Sequence, residues 1–534
     1  MSPAAEEPSS ARISRGRALA TAGLVLTGAA LASRVLGWLR LLVIGSQFGA
    51  SRELDAYFAA FRIPDAIFQL VIAGALSAAL IPVFAGYRAR GQERDAWELA
   101  SSVINLVLIA LVVLSVTLAV LAPWLVPTIV APGFDAETTE LTVRLTQLML
   151  LSPIFIGMGA VVSGLLNSYQ RFVLPAIAPL VYNLAIIAAA LLLAPSMGVT
   201  GLALGVVIGS ALHLVIQLPQ LRSVGRAYRP VIGLRHPGVR QVTRLMGPRL
   251  LGLAAGQVNF VVSTVLASGL AVGSLTAFTY AFQLSQLPVG VLGVSVAVAL
   301  FPTLSTDAAL GRVSEIRRQV MGSLRLLIFV GVPLSAALVV LAGPVAAVFF
   351  QYGLFSADDS ARTASALAFF SIGLVGHIVV HVLTRAFYAM QDTRVPVLWA
   401  IVAVALNVSL MLLLVGPMGV EGLALAVSIS AVAEVLGLLW ALRGRLETLD
   451  EGALLAGLWR AALAGAAAAA VMLGGTMLLG DLFPDLQADG LGRLLGLLAL
   501  LAAGAASYVA VAALTGSPEL GQLRGYLGGR RRRT

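Results

Sequence analysis

The sequence has no cysteine and, read along its whole length, no lysine. Without thiols there are no disulfides, thiolate nucleophiles or cysteine-ligated metals. Without lysine there is no phosphate-loop lysine for ATP hydrolysis and no Schiff-base chemistry. Charge is scarce too: Asp, Glu, Arg and Lys make up 11% of the 534 residues, against roughly 25% in soluble domains. These absences exclude a soluble multidomain enzyme and hydrolysis of ATP by the chain itself, and no cofactor is called for. What fills the chain instead is hydrocarbon: 59% of residues are hydrophobic and the mean hydropathy is +0.96. The expected fold class is an all-α polytopic membrane protein.

A membrane helix takes roughly 20 apolar residues, and the chain has room for about fourteen of them. The spacing predicts a first span from Ala18 to Gly45, a second from Tyr57 to Phe84, and a sixth ending near Leu218. The seventh runs from Val242 to Ala267 and the eighth from Leu275 to Leu304. The eleventh and twelfth cover Val395 to Val415 and Val420 to Leu442, and the last two Leu454 to Leu479 and Leu491 to Leu514. Arg12, Arg15 and Arg17 ahead of an apolar run containing Ala30-Leu31-Ala32 imitate a signal peptide. The run continues to Gly45, so a retained first helix is expected.

Alternate connections differ in charge. Arg88, Arg90 and Arg94, Arg222 through Arg240, Arg312 through Arg318 and Arg530 through Arg533 fall on one side, and Asp135, Glu137, Asp358, Asp359, Asp481 and Asp485 on the other. The positive-inside rule then puts both termini in the cytoplasm. The net charge of +10 is chiefly a topology signal, and nucleic acid is not an expected partner.

An internal repeat organises the chain. Gln170 and Pro175 recur as Gln391 and Pro396, both 221 residues later. The same shift carries Gly198 and Gly201 of GVTGLAL onto Gly419 and Gly422 of GVEGLAL, and Pro82 maps to Pro302 with a slip of one. The expected organisation is a tail over 1–17, a six-helix repeat over 18–220, a cytoplasmic linker over 221–241, and a second six-helix repeat over 242–442. Two additional helices over 443–515 and an Arg-rich tail over 516–534 follow. Six is even, so the repeats share one orientation, a pattern of alternating-access transporters.

Charges inside spans are costly and face a bundle interior or a watery cavity. Arg34, Arg40, Asp55, Arg62 and Asp65 cluster in the first two spans. One reading pairs Arg34 with an interior carboxylate and lets Arg40, Asp55 and Arg62 reach an interface. The other makes them a cationic cavity for a phosphate-bearing substrate. Asp65 reads as a local partner. Pro64, Pro82, Pro288 and Pro302 interrupt the second and eighth spans, as in transporters with broken helices. His377 and His381, four apart on one helix face, together with Glu434 and Asn407, are candidates for coupling to Na+ or H+; metal binding is not expected. Asn105, Asn183 and Asn259 are expected to bond between helices.

Ser33-Arg34-Val35-Leu36-Gly37 with Arg40, Asp55-Ala56-Tyr57-Phe58, Phe61-Arg62-Ile63-Pro64, Leu287-Pro288-Val289-Gly290-Val291 and Arg385-Ala386-Phe387-Tyr388-Ala389-Met390-Gln391-Asp392-Thr393 stand out along the chain. Together these stretches resemble the MurJ (MviN) family of lipid II flippases. The resemblance implies a fourteen-helix fold of the multidrug/oligosaccharidyl-lipid/polysaccharide exporter superfamily in the bacterial inner membrane. It implies a flippase rather than an enzyme, moving undecaprenyl-diphosphate-linked peptidoglycan precursor outward, with Arg34, Arg40, Arg62 and Asp55 at the substrate. Arginines common in the family are replaced by Phe68, Gln69 and Gln283, an acid by Gln286, and a carboxylate of the seventh helix falls near Ser263. The alternatives are a flippase for another polyprenyl-linked saccharide, a drug/cation antiporter of the superfamily, a membrane glycosyltransferase and a cell-wall scaffold.

Overall fold

The computed structural model describes residues 9–69, 77–224, 228–446, 448–482 and 490–527. Every regular element among them is a helix. That follows from the solvent, because lipid offers no hydrogen bonds and a helix satisfies its backbone internally. The chain forms two compact units, divided between Val261 and Val262.

The first unit contains α1 (Ser9–Phe48), α2 (Arg52–Ile67), α3 (Ser77–Ala89), α4 (Glu93–Leu125), α5 (Ala136–Met149) and α6 (Ser152–Ser168). It continues with α7 (Val173–Leu192), the single turn α8 (Ala194–Met197), α9 (Val199–Val215) and α10 (Leu218–Val224), and the division falls within α11 (Pro237–Ser268). Leu80, Phe84, Trp97, Leu99, Val161 and Leu165 belong to one of its core clusters. The outer surface is apolar as well: Trp124 and Leu192 are exposed, as lipid-facing side chains must be.

The second unit contains α12 (Ser274–Pro288), α13 (Ser295–Ala309), α14 (Val313–Val340), α15 (Ala342–Phe350), α16 (Ala357–Ile372) and α17 (Leu374–Ala389). It ends with α18 (Arg394–Arg443), α19 (Glu451–Leu482), α20 (Gly490–Leu514) and α21 (Pro518–Leu527). Its core joins Leu304, Val320, Ile378, Val382, Phe387 and Leu438. The Tyr508 hydroxyl donates to the Phe329 carbonyl at 2.7 Å, tying α20 to α14.

Ten helices among the described residues are long and apolar enough to cross a membrane, and the α16–α17 pair, bent by 45°, makes an eleventh. The bend is built by Ser428 of α18, whose hydroxyl accepts the Gly373 N–H at 3.0 Å and donates to the Phe369 carbonyl at 2.6 Å. As a straight rod the 50 residues of α18 would measure about 75 Å, more than twice the hydrocarbon thickness of about 30 Å. It is not straight. Gly419, at φ 59°, breaks it between the expected eleventh and twelfth spans. The eighth span is interrupted as its prolines suggested, with a π-helical turn over Val289–Val294 directly after Pro288. The expected second span passes through residues 70–76, which lie outside the described residues.

Backbone geometry repeats at the sequence offset. Gln170 and Gln391 are the two non-glycine residues with positive φ among those described, at 59° and 60°. Each closes a helix with the same pair of bonds: Gln170 N to Asn167 O and Arg171 N to Leu166 O at 3.0 and 2.9 Å, then Gln391 N to Tyr388 O and Asp392 N to Phe387 O at 3.0 and 2.9 Å. This is a Schellman closure in which glycine is usual and glutamine is strained. Gly198 and Gly419, at 58° and 59°, make a second matched pair.

Candidate functional site

The start of α2 is held from outside. Ser51 caps it by accepting the Leu54 N–H at 3.3 Å, and Arg52 reaches Asp135 at 3.0 Å and Glu137 at 3.2 Å at the start of α5. Asp135 in turn caps α5. The Thr138 backbone N–H (2.8 Å) and then its hydroxyl bond to the Asp135 carboxylate, and with the Arg52 charge they hold that carboxyl below its ordinary range. Asp55 lies in the first turn of α2 and is 4% exposed.

One to three turns further on, Phe61, Pro64, Asp65 and Phe68 share a helix face at i, i+3, i+4 and i+7. They face a cavity of about 180 Å³. Its polar lining is Arg40 from α1, Asp65 from α2, Ser152 from the first turn of α6 and Tyr182 from α7. The remaining wall, Pro153 and Ile156 included, is apolar. Asp65 bonds locally to the Gln69 side chain, and Ser152 donates to the Met149 carbonyl at 2.7 Å. Tyr182 is close enough to Arg40 and Asp65 to feel both charges. Among the described residues, Arg40 makes no ion pair or hydrogen bond and the Tyr182 hydroxyl makes no hydrogen bond.

The other sequence candidates lie elsewhere. Arg34 is exposed on α1, six residues before Arg40. Arg62 is off the cavity face, with its guanidinium 5.6 Å from the Phe260 ring centre. Thus Arg40 is the one member of the set Arg34, Arg40, Asp55 and Arg62 that lines the cavity. The carboxylate there is Asp65. Tyr182 and Ser152 were not singled out by sequence; the available signal was a hydroxylated aromatic in the apolar run Leu180-Val181-Tyr182-Asn183-Leu184.

In the second unit His377, His381 and Arg385 form one stripe of α17 at successive i+4 steps. The stripe faces the π-helical turn: a Cβ on Gly293 would meet the Ile378 carbonyl at 2.8 Å and the His381 ring at 3.1 Å. Arg385 lies over the Phe301 ring at 5.2 Å. Glu434, half-buried on α18, makes no hydrogen bond or ion pair among the described residues. Asn407 is 1% exposed, and its amide oxygen has no hydrogen-bond partner among the described residues. No hydrogen bond links these four candidates to one another. The repeat-equivalent position of Glu434, 221 residues earlier, is His213, which fills a notch where a Cβ on Gly159 would meet its Nδ1 at 2.5 Å.

Two expected interhelical amides behave differently. Asn183 donates to its own helix at the Pro179 carbonyl, 3.0 Å away. Asn105 holds the linker instead: it donates to the Val231 carbonyl at 3.0 Å and accepts from the Tyr228 hydroxyl at 2.8 Å. Ser101 and Ser102 of α4 extend that strap by accepting the Arg229 and Gly233 N–H groups, both at 3.1 Å. The linker's unpaired backbone groups, close in space but remote in sequence, outcompete a second helix for these side chains.

Comparisons with known proteins agree with this fold and extend beyond it. The family model described as Lipid II flippase MurJ matches residues 44–484. The Burkholderia cenocepacia protein named Lipid II flippase MurJ is 36% identical over 431 residues, 79% of this chain and 83% of its own. A solved structure titled "Lipid II flippase MurJ, inward closed conformation" matches with a TM-score of 0.77 at 24% identity, over 92% of this chain and 98% of that one. An inward-facing multidrug resistance MATE family transporter of the MOP superfamily matches with a TM-score of 0.65 at 17% identity, over 78% of this chain and 94% of that one.

Proposed function

We propose, from the premise that this chain belongs to the lipid II flippase MurJ family, that it is a transporter carrying lipid II across the bacterial inner membrane by alternating access. The observation that carries the reading to the residues is Arg40, a half-buried guanidinium in a cavity with no ion-pair partner among the described residues. An unpaired buried cation is costly, and a diphosphate offers it two bidentate anionic groups. Arg34, about 9 Å away along α1, and Arg62 and Asp55 lie off the cavity, so in this reading they would meet the headgroup at other points along its path. The polyprenyl tail stays in lipid while the headgroup crosses.

The proposed topology has both termini in the cytoplasm, two parallel six-helix repeats over 18–220 and 242–442, and fourteen spans. The matched helix closures at Gln170 and Gln391 support the repeat. An inside-negative potential supplies the drive, at about 2.3 kcal/mol per charge per 100 mV. It pushes the anionic headgroup outward and draws the empty cationic site back. Coupling to Na+ or H+ would fall to His377, His381, Glu434 and Asn407.

Replacing Arg40 with Ala should abolish rescue of a flippase-depleted cell while the protein still reaches the membrane; full rescue would remove the cavity from the transport path. Vesicles holding labelled lipid II should show protein-dependent transfer that rises with an imposed potential. A flippase for another polyprenyl-linked saccharide is the second reading, favoured by the same unpaired cation. Arg40 and Arg34 disfavour an antiporter of cationic drugs.

A further inference from the structure

The strap over 228–235 has features that neither transport nor topology uses. Asn105, Ser101 and Ser102 hold its backbone along α4, and the exposed apolar flank of α4 begins at Leu108 and runs to Trp124. Leu108 is three residues beyond Asn105, a rise of about 4.5 Å, so the strap crosses α4 at the level where the helix enters hydrocarbon. Gly233 is pressed against α4, where a Cβ would meet the Ser102 hydroxyl at 2.7 Å. Its neighbours Ile232 and Leu234 stand 54% and 63% exposed, and the Tyr228 ring, tied by its hydroxyl to Asn105, is 53% exposed. Contiguous exposed apolar side chains mark an interaction surface. Arg222 of α10, Arg229, Arg235 and Arg240 of α11 surround them, all exposed and without an ion pair among the described residues. The later connection over 443–450 is built the other way. Arg443 pairs with Glu451 at 3.4 Å and Arg445 with Asp392 at 2.6 Å, and Leu446 is buried. Topology asks for arginine in both connections; the first leaves its arginines and its apolar side chains facing outward.

We infer that the strap is a lipid-docking surface: Tyr228, Ile232 and Leu234 seat in the interfacial layer of the leaflet, and Arg222, Arg229, Arg235 and Arg240 bond the phosphates of anionic lipid headgroups. The occupant follows from complementarity. Apolar side chains ringed by unpaired arginines at the hydrocarbon boundary match acyl chains on one side and phosphates on the other, the layer in which tyrosine and arginine are at home. Arginine takes phosphate oxygens bidentately. The inference needs only that the chain spans a bilayer and is independent of what is transported. Docked in this way, the connection between the two proposed repeats is fixed to the leaflet, and its hold tightens with the leaflet's anionic charge.

The test uses the purified full chain in nanodiscs of phosphatidylcholine, with or without phosphatidylglycerol. Pro230→Cys, at an exposed strap position, supplies the chain's one thiol and carries an environment-sensitive dye, and a spin label on the acyl chains quenches the dye when the strap is docked. The ratio of docked to undocked strap should rise about tenfold when phosphatidylglycerol is added, the effect of several arginines near an anionic surface, and high salt should remove the rise. Replacing Arg222, Arg229, Arg235 and Arg240 with Gln should abolish it as well, and Ile232→Ser with Leu234→Ser should lower quenching in both lipids. Equal quenching in the two lipids, or a rise that survives the arginine substitutions, overturns the proposal. A dye shielded from aqueous iodide yet not reached by the acyl label means that protein covers the strap, whether a second copy or the chain's own Arg-rich tail, and overturns it too.

Discussion

Among the described residues Arg40 keeps a half-buried cation with no ion-pair partner, an arrangement that costs stability in the empty protein. Arg40→Leu should therefore raise the melting temperature in detergent by about 2 to 4 °C while rescue of a depleted cell is lost; a lower melting temperature would mean that the arginine supports the fold. Gly293 stands under the opposite constraint. A methyl group there would press on the Ile378 carbonyl and the His381 ring, so Gly293→Ala should destabilise by about 1 to 3 kcal/mol, read from the unfolding midpoint. Both positions differ in how far sequence reaches them. A lone Arg in an apolar run announces itself by its insertion cost, so Arg34 and Arg40 were legible. Tyr182 and Ser152 were not, because side chains of four different helices meet only after packing, and an amphipathic tyrosine reads as ordinary core until its hydroxyl is located.

Among elements, the linker and the capped helices show what holds the ends. Asn105 bonds the linker at the Val231 carbonyl and the Tyr228 hydroxyl, so Asn105→Ala should free the strap. Limited trypsin digestion at Arg235 should then run about tenfold faster, the effect of losing about 1.4 kcal/mol of local protection; an unchanged rate would leave the strap held by Ser101 and Ser102 alone. The Asp135 cap carries a pH signature. Its carboxyl lies below its unfolded value because of the Thr138 bonds and then Arg52. Its stabilisation is therefore complete above the unfolded value near 3.9 and fades as pH falls through the lower folded value. Compared with Asp135→Ala, the unaltered chain should melt higher at neutral pH, and the difference should close in acid. The cap was readable in Asp135-Ala136-Glu137-Thr138. The strap was not, since it joins residues more than 120 positions apart.

At the scale of the molecule, a constant offset was legible because helix closures repeat the same local chemistry, and residues such as Gln170 and Gln391 carry it regardless of lipid or packing. The division into spans was less so. Apolar runs mark where helices are, but Gly419 and the π-helical turn after Pro288 decide how they bend, and composition is silent on bends. The cysteine-free sequence makes the orientation simple to measure. Single substitutions Thr448→Cys and Asp358→Cys should respond oppositely to an impermeant maleimide in intact cells, with Asp358→Cys labelled and Thr448→Cys protected; the reverse pattern would invert the topology. The 221-residue offset also pairs His213 with Glu434. The imidazole is locked against Gly159, whereas the Glu434 carboxylate makes no hydrogen bond or ion pair among the described residues, so of the two positions it is the second whose side chain can be exchanged, or can take up an ion, without unmaking the packing.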